Sequence, residues 1–82
     1  MADPIQVEAV LLDEVLEPRA FIWRDQRYRV LDVGRHWRQQ AQVHWLVRTV
    51  AKTVFELIYI EEEGQWVMGR TPADFQPRDP VA

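Results

Sequence analysis

The chain has 82 residues, no cysteine and a net charge of −3. That length supports one domain with a thin core, since such a chain buries only ~60–65% of its unfolded surface. The composition excludes a disulfide framework and a thiolate zinc site, and no apolar run approaches the ~20 residues of a membrane span.

Met1-Ala2-Asp3-Pro4 has no basic stretch ahead of an apolar one, so the expectation is a cytoplasmic protein. Residues 5–12 carry two signals. Asp3-Pro4-Ile5-Gln6 has the form of a helix start, whereas Ile5, Val7, Ala9 and Leu11 alternate with polar residues at strand spacing. Strand is the preferred reading. Asp13 to Glu17 reads as an acidic turn, and Pro18 marks its boundary.

Residues 19–48 hold seven of the ten basic residues, all arginines, against Asp25 and Asp32. The flanking blocks, 1–18 and 49–82, are acidic. Such asymmetry suits either an anionic partner or ion pairs between neighbouring strands. In Arg19 to Leu31 the period is two, which gives a hairpin with one apolar and one cationic face. A two-residue loop at Asp25-Gln26 sets Trp23 opposite Tyr28 and Phe21 opposite Val30, and leaves Ile22, Arg24, Arg27 and Arg29 on the other face. Leu31 breaks the alternation and Gly34 follows, which predicts a β-bulge or bend. Arg35-His36-Trp37-Arg38 continues to the polar loop 39–42.

Residues 43–60 are the most apolar segment. A three-residue loop at Val50-Ala51-Lys52 puts Trp45, Val47 and Thr49 on one face with Thr53, Phe55, Leu57 and Tyr59. The other face collects Leu46, Val54, Ile58 and Ile60 beside His44, Arg48 and Glu56, so both faces expect cover. Glu61-Glu62-Glu63-Gly64 is the next turn and Gln65 to Met68 the last strand. Turns of two or three residues place Trp66 on different faces, so this register stays open. Phe21, Trp23, Tyr28, Trp45 and Phe55 are the expected core. The fold predicted is all-β: a small antiparallel meander of five to six strands, curled into a barrel or strongly bent sheet. Residues 1–70 form the domain, and 71–82 a flexible proline-containing tail.

Pro18-Arg19-Ala20-Phe21-Ile22-Trp23-Arg24, Arg27-Tyr28-Arg29-Val30 and Trp37 together resemble a small bacterial domain of unknown function. Leu46-Val47-Arg48-Thr49, Val54-Phe55-Glu56-Leu57 and Gly64-Gln65-Trp66 are similar to its second half. The resemblance spans about residues 4–70. That family occurs alone and as a C-terminal module of proteins similar to Y-family translesion DNA polymerases, which implies an association with DNA damage tolerance and no assigned activity. The chain departs from the family at two turns, where Asp25-Gln26 and Val50-Ala51-Lys52 replace glycine-bearing sequences.

No constellation for catalysis stands out. There is no Cys or Ser, the glycines are isolated, and the acidic run 61–63 reads as a solvated turn. His36 and His44 could approach each other across the 39–42 loop but lack a third metal ligand. The expectation is a non-enzyme without cofactor, metal, membrane or small-molecule substrate, because large side chains should fill so small a barrel. Its preferred function is nucleic-acid binding through Arg24, Arg27, Arg29, Arg35 and Arg38, with Trp37 as a stacking platform. The alternative is a protein-interaction or homodimerisation module using Leu46, Val54, Ile58 and Ile60.

Overall fold

A computed structural model of the chain describes residues 3–75. Six strands follow in order: β1 (Pro4–Leu12), β2 (Val15–Trp23), β3 (Gln26–Gln39), β4 (Gln42–Thr49), β5 (Val54–Ile60) and β6 (Gln65–Met68). Each pairs antiparallel with the next, and Pro4 and Ile5 of β1 pair with Val67 and Trp66 of β6 to close a barrel. This is the predicted all-β meander. No helix among the described residues is long and apolar enough to cross a membrane.

Three hairpins turn on two residues each. Asp13-Glu14, Arg24-Asp25 and Gln40-Ala41 all have positive φ at both positions, the signature of type I′ turns, whose twist matches that of the flanking strands. These turns correct two expectations. The acidic turn is only Asp13-Glu14, and Val15 to Pro18 already belong to β2; Pro18 faces Ala9 at a register shift where Arg19 is the extra residue. The β2–β3 loop is Arg24-Asp25, not Asp25-Gln26, so Phe21 pairs with Tyr28 and Trp23 with Gln26. The error is a two-residue slip. It survives a test based on facial patterning because an even slip returns every side chain to the same face.

The β4–β5 register is the expected one. Val47 lies opposite Phe55 and Trp45 opposite Leu57, and the Thr49 and Thr53 hydroxyls meet at 2.7 Å below the turn. The β5–β6 loop has four residues, 61–64, with Gly64 at φ 60°, and it turns Trp66 inward against Tyr59. In β3 the predicted bulge is present at Leu31. A second lies between Val33 and His36. Each bulge reverses which residues face inward: Tyr28 and Val30 before the first, Val33 between them, and His36 after the second.

Phe21, Trp45, Val47, Phe55, Leu57, Trp66 and Met68 form the buried core, while Trp23 and Tyr28 pack against it half-buried. The rings of Phe21, Tyr28 and Phe55 are mutually in contact at 4.9–5.3 Å. Rings in this geometry contribute about 0.5–1.5 kcal/mol per pair beyond area burial.

After β6 the chain continues along β5, with Gly69 N donating to Glu56 O and Glu56 N to Arg70 O. A one-turn helix, α1 (Pro72–Phe75), then lies against β5. The segment read as a tail therefore begins with a return over the barrel; residues 76–82 lie outside the described residues. The return gives part of the outer face the cover expected of it. Leu46, Val54, Ile58 and Ile60 are all half-buried, and Phe75 shares shallow pockets with both Val54 and Leu46.

The ring of strands closes fully only at one end. β2 pairs with β3 through just Ala20–Trp23 and Gln26–Arg29. Val15–Arg19 pair only with β1, and β3 from Val30 to Gln39 pairs only with β4. Between these two edges the barrel gapes.

Candidate functional site

The arginine ribbon does not form one surface. Arg27 and Arg29 project outward from β3, and Arg27 is clamped by Glu8 through two hydrogen bonds of 2.9 and 3.1 Å. That contact holds the Glu8 carboxyl below its ordinary value, chiefly through the hydrogen bond and then through charge. Arg24 sits in the turn, its guanidinium 5.0 Å from the Trp23 ring centroid. Arg35 lies within the second bulge, eight positions along β3 from Arg27 and separated from it by the bulge at Leu31. Arg38 belongs to the inward-facing set, opposite Val43, and pairs with Glu61 at 2.6 Å at the barrel mouth. Arg48 pairs with Asp32, and Arg19 with Glu17. Ion pairing between strands thus absorbs much of the basic block. Arg24, Arg29 and Arg35 have no ion-pair partner among the described residues.

The two histidines do not meet. His36 faces inward and stacks on buried Trp45 at 4.5 Å, whereas His44 faces outward and stacks on Trp37 at 5.0 Å and 8°. Adjacent ladder positions with opposite facing explain the separation. No group of three His, Asp or Glu among the described residues is arranged to hold a metal ion.

The gap between β2 and β3 is the more developed site. It opens into a cleft of about 330 Å³, at the small end of ligand-binding volumes. Val15 and Leu16 form one wall, and His36, Trp45, Val43 and Tyr59 form an aromatic floor; the Arg38–Glu61 pair and Glu14 stand at the rim. Around the Asp13-Glu14 turn, the β1–β2 hairpin extends as an arm. Val10, Leu11, Leu12 and Val15 on this arm are four of the seven exposed large apolar residues among those described. None of the residues expected to form a site lies on this arm. The signal that would have found it is Val10-Leu11-Leu12 with Val15-Leu16, apolar at both phases of a strand on each side of an acidic turn.

A second group of polar contacts lies on the outer face. Glu56 is buried, and its carboxylate accepts from His44 Nδ1 at 2.9 Å, Arg70 Nε at 3.0 Å and Arg70 N at 3.1 Å. Burial pushes this carboxyl up, but the hydrogen bonds and the Arg70 charge outweigh burial, and the group titrates below its ordinary value. Gly69 is required beside it, because a Cβ there would stand 2.7 Å from Glu56 Oε1. Among the described residues no buried side-chain donor or acceptor is left unpaired.

Compared with protein-family models, curated proteins and solved structures, the chain shows no significant match to any of them.

Proposed function

We propose that this barrel is a non-catalytic protein-interaction module that receives an extended segment of a partner polypeptide between β2 and β3. One observation carries the reading: two strand edges, Val15–Arg19 and Val30–Gln39, lie without ladder partners on either side of an aromatic-floored cleft. An inserted strand would supply main-chain hydrogen bonds to the open edges, and its alternate side chains would enter the cleft. The apolar floor selects bulky side chains at every second position. The exposed Val15 at the wall of the cleft would be covered as the segment seats. A chain without cysteine suits a reducing compartment, so the proposal places the encounter in the cytoplasm.

The test is selection of extended peptides from a displayed random library, followed by titration with amide NMR. Binders are expected to shift the amides of residues 15–17, 19 and 31–39. Val15→Glu is expected to weaken them at least tenfold, about 1.4 kcal/mol. Recovery of no binder tighter than millimolar, or shifts confined to other strands, would refute the proposal. Sedimentation at rising concentration identifies the case in which the inserted strand comes from a second copy.

A further inference from the structure

We propose that the outer face of the barrel carries a separate site for single-stranded nucleic acid, built from Arg35, Trp37, Arg70 and Phe75. These residues and Leu46 surround one pocket of about 460 Å³. It contains two units of the same kind. Arg35 lies 5.7 Å from the centroid of the Trp37 ring, and Arg70 lies 4.7 Å from that of Phe75. Each unit couples a flat ring to a guanidinium, the pair of groups that a nucleotide engages through its base and its phosphate. The repetition matters: two successive nucleotides present base and phosphate twice, whereas a phosphotyrosine side chain presents one ring and one phosphate.

Both units are held in place. Trp37 lies flat on His44, and His44 is anchored by Glu56. Arg70 is gripped through its Nε by Glu56, which orients the fork without an Nη hydrogen bond to that carboxylate. Glu56 itself is buried and engaged by three donors, so its charge is largely spent inside the protein. Asp74, in the same segment, accepts from the backbone N and the hydroxyl of Thr71. Arg35 has no ion-pair partner among the described residues. The pocket thus presents the Arg35 guanidinium, and the Arg70 guanidinium whose carboxylate partner Glu56 is shared with His44. Arg70 and Phe75 come from the segment that closes back over β5, so the site exists only when that segment is folded onto the barrel.

The experiment is fluorescence anisotropy of a labelled twelve-residue oligothymidylate, with adenosine monophosphate and a phosphotyrosine peptide as competitors. Binding is expected at ~50 mM salt, with a log–log salt slope near −1.4 for two phosphates. Trp37→Leu and Arg35→Ser are each expected to weaken it about tenfold, within the range for one lost stack. Phe75→Ser tests the second unit without removing the Arg70–Glu56 contact. Arg24→Ala and Val15→Glu should leave the affinity unchanged, the latter because it belongs to the interaction seam. Competition by the mononucleotide at equal affinity would assign the pocket to free nucleotides and overturn the single-strand proposal. Tighter binding of the phosphotyrosine peptide would also overturn it. So would absence of binding, or equal weakening by Arg24→Ala, which would spread the contact over the whole ribbon.

Discussion

The two ends of this barrel use aromatic side chains in opposite ways. At the closed end, Phe21, Tyr28 and Phe55 interlock, and every strand has neighbours on both sides. At the open end, His36 stacks on Trp45 and Tyr59 lines a cleft, while the neighbouring ladder between β2 and β3 has stopped. The contrast separates stability from exposure. The core runs from Phe21 and Phe55 to Trp45 and Trp66, and beyond it His36 and Tyr59 are left lining the cleft.

That division is most directly broken by truncation at each end. Phe55→Ala, deep in the closed end, is expected to cost about 3–5 kcal/mol in a denaturant titration. Leu12→Ser on the arm should change stability by less than about 0.5 kcal/mol. Comparable losses at both positions would show that the arm is part of the core.

The Glu56 contacts sharpen the comparison, because they hold the returning segment to β5. Gly69→Ala is expected to displace the Glu56 carboxylate and to cost about 1–3 kcal/mol through lost hydrogen bonds to a buried charge. The pH dependence has a definite sign. The folded-state value of Glu56 lies below its ordinary 4.5, so the folded state binds protons less readily than the unfolded chain. Its stabilising contribution is fully present above pH 4.5 and is lost as pH falls through the lowered folded value. Urea unfolding across this acid range should show that loss in the native chain and its absence in Glu56→Gln.

A further expected effect, of opposite sign, concerns the turns. Arg24 and Asp25 both occupy left-handed backbone, which an L side chain enters at a cost of roughly 1 kcal/mol. Replacing the pair by Asn-Gly should raise stability by about that amount, with no change in peptide binding at the seam. A destabilised variant would mean that the Arg24–Trp23 contact outweighs the backbone cost.

How much of this was legible follows from where the information resides. The β4–β5 register could be read because both of its faces are distinctive, with Thr49 and Thr53 marking the turn. The bulge at Leu31 could be read because it breaks a period. The β2–β3 register could not, since facial alternation is blind to a slip of two and the turn lacks the usual Asn-Gly or Asp-Gly signal. The seam has only an indirect signature, the doubly apolar Val10-Leu11-Leu12 and Val15-Leu16 of the adjoining arm. It arises where pairing ends, and the termination of a ladder depends on strands distant in sequence. The outer pocket was only half visible: Arg35 and Trp37 fall within the aromatic–arginine pattern, but Arg70 and Phe75 lie in a stretch too poor in apolar residues to be read as packed.

The two extra residues in β3 have a consequence for how this chain tolerates change. Each acts as a phase inverter, so the length of the strand between them is information as much as its composition. Deleting Leu31 would remove the extra residue and let Val30, Asp32 and Val33 alternate regularly opposite Thr49, Arg48 and Val47, so the downstream side chains would keep their faces and only the local bend would be lost. Inserting a residue into one of the regularly paired segments would instead turn the side chains beyond it through the sheet as far as the next irregularity.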